Sequence, residues 1–288
     1  MIEDHQPQYK HYYWGIPDSP IDWCELNYDI SPFICEFYNT ISSFGITLFA
    51  IYGALLLLFP LGSNLLPHQI RMGNLKATRN KALVAFAALS TVGIGSAFYH
   101  ATLLYKHQLF DEFPMVISVC CFLYCLFTID PVSKADSKYY KLFRFLLPYL
   151  LAIYFVVVAS TIYVIRNIPT ILQASFGILV VTLVAISAII CRSIPVPLKQ
   201  CNPKKLLLFA ATSMGTAYIC WLIERKLCQD GYVIPGLQLH AIWHILTGLA
   251  GFYWMQFYLC LSMEKNGYKT SIHYNWLGVG DVRGFIKT

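Results

Sequence analysis

Charge is scarce in this sequence: of 288 residues only 12% are Asp, Glu, Lys or Arg, against 57% hydrophobic, and the mean hydropathy is +0.54. A soluble domain is nearer a quarter charged. A long chain this apolar cannot cover itself with polar surface, which excludes an ordinary soluble globule and makes lipid its solvent. A concentrated basic patch is also missing. The net charge is +6, but the basic residues sit between apolar blocks, which excludes a nucleic-acid footprint. Residues 1–35 hold six acids and no apolar run that could form the core of a cleavable signal, so the first apolar segment is expected to act as an uncleaved anchor. There is no CxxC pair, and no inverted repeat or pair of broken helices of the kind that marks a transporter.

What is present is a series of apolar segments. A bilayer core needs about 20 apolar residues per helix, and seven stretches qualify or nearly do: 37–60, 82–104, 113–130, 143–165, 170–191, 206–224 and 237–262. The fold class is therefore all-α, a seven-helix transmembrane bundle. Five of the 21 lysines and arginines (Lys10, Lys106, Arg166, Arg225 and Lys226) lie on one side and sixteen on the other. Because basic residues collect on the cytosolic side, the N-terminus is expected to be lumenal or extracellular and the C-terminus cytosolic. Residues 1–36 form a lumenal segment, 37–262 the membrane domain and 263–288 a cytosolic tail.

Ionisable groups in a bilayer cost about 3 kcal/mol each and are functional candidates by default. Of eight histidines, His5, His11, His68, His107 and His273 lie in predicted loops or tails. His100, His240 and His244 lie inside apolar segments. His240 and His244, in LQLHAIWHILTG, are four apart, so one helix face carries both imidazoles, a spacing that lets two histidines share a metal. His100, in GIGSAFYHATLLY, falls at similar depth, because helix two runs towards the lumen and helix seven away from it. Three neutral imidazoles with an open fourth position make a catalytic zinc set. The competing reading is three core histidines bonded to hydroxyl or backbone groups, and the four-residue pair with a third ring at matching depth favours the metal. Ser96 shares the face of His100, and its small neighbours Gly93, Gly95 and Ala97 read first as a packing face. Asp111, in HQLFDEFPM at the start of the third segment, could hold or deprotonate a water at the metal, while Glu112 is expected to point elsewhere, at the interface.

In SPIDWCELNYDISPFICEF, Asp22, Glu25, Asn27 and Glu36 put four hard oxygen donors within fifteen residues. Such a set suits calcium, although its spacing is not that of an EF-hand. By itself the stretch reads first as an ordinary acidic lumenal loop. Six of the ten cysteines fall in or beside helices and behave as small hydrophobes. Cys24 and Cys228 lie in predicted lumenal regions, where oxidation is permitted.

IDWCELNY followed by SPFICEFYNTIS, then GIGSAFYHATLLYKHQLFDEFPM, then HAIWHILTG, in that order over nearly the whole chain, resemble the alkaline ceramidases. The resemblance implies that His100, His240 and His244 bind zinc, and that Ser96 and Asp111 are the site's hydroxyl and carboxylate. It makes Asp22, Trp23 (through its carbonyl), Glu25, Asn27 and Glu36 calcium ligands and pairs Cys24 with Cys228. Tyr99 stands where Phe is common in the family, a change expected in the pocket wall. The implied activity is zinc-dependent hydrolysis of the ceramide amide to a sphingoid base and a fatty acid, with ceramide reaching the site from the bilayer. The implied location is the endoplasmic reticulum or Golgi membrane. The alternative from another class is a seven-helix lipid receptor with a structural zinc. Ser96 and Asp111 argue against it, because a structural site needs neither a free hydroxyl nor a spare base.

Overall fold

Among the described residues, seven long helices form most of the structure: α1 Phe37–Leu58, α2 Lys76–Thr102, α3 Tyr105–Phe127, α4 Lys138–Val164, α5 Thr170–Arg192, α6 Pro203–Gln229 and α7 Leu239–Lys265. The computed structural model describes residues 12–59, 75–129, 138–165, 168–192, 202–232, 237–266, 268–275 and 278–285. His5, His11 and His68 lie outside the described residues, as do Lys10, Arg71, Lys134, Arg166, Lys199 and Lys287 of the charge count. All seven helices are long and apolar enough to cross a membrane. Their ends run past several of the hydropathy segments. The third segment, read as starting at 113, begins at Tyr105, and the sixth continues to Gln229. Hydropathy registers only the lipid-exposed middle of a helix, and polar residues at its ends go on satisfying the same backbone bonds.

The bundle is organised around α7. Of its apolar window 78% is buried, against 17% for α4, so α7 is the core and α4 faces outward. Phe252, Met255, Phe257 and Tyr258 are fully enclosed, with α7 packed on α1, α2, α3 and α6. Trp254 stacks on Phe122 of α3 with centroids 5.0 Å apart. It also donates its indole N–H to Ser187 Oγ at 3.0 Å, which ties α5 to the core.

Two connections position the site. Leu103 closes α2 in a left-handed conformation (φ 48°), and α3 starts again at Tyr105, so α2 and α3 form a tight corner. Its carbonyl accepts the amides of Asp18 and Ser19, which lays the N-terminal segment across that corner. The C-terminal tail carries a feature that an all-helical reading omits. The antiparallel strands β1 Lys269–Tyr274 and β2 Gly280–Phe285 pack on α7, where Gln256 Oε1 accepts the Val282 amide at 2.9 Å.

Candidate metal centre

Close helix contacts bring the three histidines together. Gly93 of α2 backs onto the Ser43 carbonyl and Thr47 of α1, and Gly248 of α7 lies against the Ile46 backbone of α1. A Cβ at either glycine would overlap its neighbour, so the small residues do act as packing faces. His240 and His244 project from one face of α7 and meet His100 of α2. Ring centroids are 4.6 Å apart for His240–His244, 5.0 Å for His100–His244 and 5.1 Å for His100–His240. One nitrogen from each ring comes within 4.8 Å of the other two. The residues are 0%, 4% and 2% exposed for His100, His240 and His244.

Their hydrogen bonds fit a metal. His100 Nδ1 is 2.5 Å from Glu36 Oε2 and His244 Nδ1 is 2.8 Å from the Ser42 hydroxyl, so each ring is held from behind. His100 Nε2 and His240 Nδ1 are buried with no hydrogen-bond partner. Leaving buried polar atoms unpaired is costly, and a divalent ion between the rings removes that cost. Among the described residues no fourth His, Cys, Asp or Glu joins the group, so the donor set is that of a zinc site with one side open.

Ser96 and Asp111 lie next to this group. Gly95 presses against the Phe110 carbonyl and the Asp111 amide of α3, which sets Ser96 beside Asp111. Ser96 is 1% exposed and lies close enough to Asp111 to interact with its carboxyl. Its Oγ accepts from Ser43 at 3.1 Å and lies 3.3 Å from His244 Nε2. Glu112 differs from expectation. It is 4% exposed and accepts Gln108 Nε2 at 2.6 Å, because α3 starts about two turns before it and turns its side chain into the bundle.

The acidic segment folds over the same end of the bundle. Glu36, the N-cap residue of α1, is fully buried. Besides His100, it accepts the Trp23 amide and Asn39 Nδ2, both at 3.0 Å. Asn27 donates to Asp22 at 3.1 Å, and the Asp22 and Glu36 carboxyls lie near one another. Glu25 instead accepts the Tyr38 and Asn39 amides at 2.6 and 2.9 Å, closing the first turn of α1. Burial pushes the Glu36 carboxyl up to about 7 and raises Glu25. Asp22 is exposed as a residue, and desolvation of its carboxyl followed by the Glu36 charge brings it to about 6. Crowded, desolvated carboxylates are short of positive charge and suit a hard cation. They do not close on one point as the histidines do, and only the histidines form a three-ligand group among the described residues. Cys24 and Cys228 are disulfide-bonded, with Cα atoms 5.3 Å apart. The bridge staples the segment to α6 and holds Trp23 stacked on His240, at 3.9 Å and 15° between planes.

Residues 15–281 match the family model described as Ceramidase. The chain belongs to the ceramidase family. A Dictyostelium discoideum protein that carries the alkaline ceramidase name provisionally (dcd3B) is 55% identical over 96% of this chain and 98% of its own length. Mouse alkaline ceramidase 3 is 32% identical over 83% of this chain and 82% of its own. The Saccharomyces cerevisiae alkaline ceramidase YPC1 is 30% identical, over 84% and 76% respectively.

In this ceramidase-family chain the structure adds residues that the sequence reading passed over. Asn39, Ser43 and Thr47 recur every four residues along α1 and are all buried, a polar stripe on an otherwise apolar helix that could have singled out Ser42 and Ser43. Tyr99, whose ring lies 5.0 Å from that of His100, also donates to the Ile21 carbonyl at 2.8 Å and meets Ser19 Oγ at 2.9 Å. It anchors the N-terminal segment. Glu224 went unremarked because it stood at the assumed end of the sixth segment. It lies within α6 and is 5% exposed, and an acid four residues before Cys228 on the same helix face was the available signal.

Proposed function

We propose that the chain is a zinc-dependent amidase acting within the membrane, which hydrolyses ceramide to a sphingoid base and a free fatty acid. The observation that carries this reading is the meeting of His100, His240 and His244 around one point, with Ser96 Oγ 3.3 Å from His244 Nε2 and Asp111 near Ser96. The three histidines would hold zinc, with Glu36 and Ser42 fixing two of the rings, an outer-shell arrangement typical of such sites. Zinc bound there supplies Lewis acidity to the amide carbonyl and to water.

The chain's own residues account for the remaining chemistry. Asp111 accepts a proton from the attacking water as its oxygen bonds to the amide carbon. It returns that proton to nitrogen as the C–N bond breaks. Ser96 donates to the carbonyl oxygen as negative charge develops there, a contribution of about 3 kcal/mol for one such donor. Asp22, Glu25, Asn27, Glu36 and the Trp23 carbonyl are proposed to take calcium, bracing the segment over the site. The N-terminal end of the bundle is proposed to face the lumen of the endoplasmic reticulum or Golgi. The lysines and arginines support that orientation, since they collect at the opposite end.

The test is incubation of the purified protein with ceramides, dihydroceramides and phytoceramides. Mass spectrometry follows the released base, and zinc is determined by elemental analysis. Equimolar zinc, and base release that stops on metal stripping and returns with zinc, are expected. Zinc-loaded, folded protein that releases no base would point to a lipid receptor instead.

A further inference from the structure

Glu224 of α6 is a buried acid that the chemistry above leaves unused. Among the described residues no lysine or arginine pairs with it. Its Oε2 accepts the backbone N–H of His240, and the Leu239 amide lies near the same carboxyl. These are the first two amides of α7. That helix has no acid in its first turn, and its N-cap residue Gln238 makes no side-chain capping bond. The first four amides of a helix lack partners within it, and the positive end of the helix dipole favours a carboxylate. A helix is ordinarily capped by its own chain. Here the cap comes from the neighbouring helix.

The consequence falls on His240, the second residue of α7. His100 is held through Nδ1 by Glu36 and His244 through Nδ1 by Ser42. Among the described residues no side-chain hydrogen bond orients the His240 ring. It has the Trp23 stack on one face and the backbone that carries it, and Glu224 grips that backbone. An uncapped first turn frays, which would let this one ring drift from the other two.

We propose that Glu224 is a positioning residue for the metal centre: by capping α7 from α6 it fixes His240 against His100 and His244. The assignment rests on the zinc reading above. It is tested on the full-length protein by competing zinc away with chelators of graded affinity. Glu224→Ala is expected to weaken zinc binding about 10–100-fold, the usual effect of losing an outer-shell partner. Glu224→Gln, whose amide oxygen still accepts from His240, is expected to recover most of that loss. The decisive variant is Glu224→Ala/Gln238→Asp. An aspartate at the N-cap supplies α7 with a cap of its own and is expected to restore zinc affinity, whereas a packing role for Glu224 in α6 could not be rescued from position 238. The double variant also carries the test if Glu224→Ala alone does not fold. Zinc affinity equal to wild type in Glu224→Ala, or no rescue by Gln238→Asp in folded protein, overturns the proposal and leaves the zinc reading intact. Wild-type protein that binds no zinc overturns both.

Discussion

Asp111 and Glu112 are adjacent acids with different surroundings, and the proposed mechanism uses only the first. Glu112 accepts from Gln108, and Gln108 Oε1 in turn accepts from Ser19 at 2.9 Å. That chain of contacts leads away from the histidines and into the N-terminal segment. Asp111 instead lies near Ser96, whose Oγ is 3.3 Å from His244 Nε2. Asp111→Asn is accordingly expected to lower ceramide turnover by about 10²–10⁴ with zinc retained. Ser96→Ala should lower it by about 10²–10³. Single-turnover assays on variants matched for zinc content measure both. An Asp111→Asn enzyme of near-normal rate would remove the proton-transfer role. At this scale the histidine pair was legible because helical period is local: two residues four apart share a face in any helix. Neither the inward turn of Glu112 nor the outward anchoring of Tyr99 could be read that way, since each depends on which element packs alongside.

The decisive contact between helices is the close approach of α2 and α3 beyond their corner. Pro114 has no N–H to give the Phe110 carbonyl its usual partner four residues on, and it is that carbonyl which lies against Gly95. A methyl at position 95 would meet backbone, which cannot rotate away as a side chain can. Gly95→Ala is thus expected to push α3 outward, destabilise the fold by about 1–3 kcal/mol and separate Ser96 from Asp111. Denaturation in detergent reads the first effect. Loss of turnover without loss of zinc reads the second, and a fully active Gly95→Ala protein would refute the close-approach argument. The number of helices was plain from hydropathy, because 20 apolar residues have few alternatives to spanning a bilayer. Their ends were not, because a helix continues into polar sequence wherever its backbone is still satisfied, and α3 and α6 both do so.

Across the whole molecule, the N-terminal segment is a lid of polar and aromatic residues fastened to the bundle at several points. These are the Leu103 carbonyl, Tyr99, the first turn of α1, and the Cys24–Cys228 bridge, which spans 204 positions of sequence. A cross-link closing so long a loop stabilises by about 2–4 kcal/mol, within the usual range. Cys228→Ser, or mild reduction, is expected to lower the unfolding midpoint accordingly and to loosen the Trp23 stack on His240. Thermal unfolding with and without reductant measures the first. A change in Trp fluorescence on reduction, absent from a Trp23→Phe control, measures the second. Unaltered melting would show that the remaining fastenings suffice.

The sequence alone determined the seven spans, the helical face shared by His240 and His244, and the family. All three follow from local order: hydropathy over a window, a period of 3.6 residues, and short motifs in fixed succession. Only the tertiary structure decided that Glu36 backs His100, that Ser42 backs His244, and that Glu224 caps the helix bearing His240. Each of those contacts joins residues from different helices or segments, at least sixteen positions apart. Which groups meet across such distances is set by the close approach of α1, α2, α6 and α7, and no single stretch of sequence encodes that.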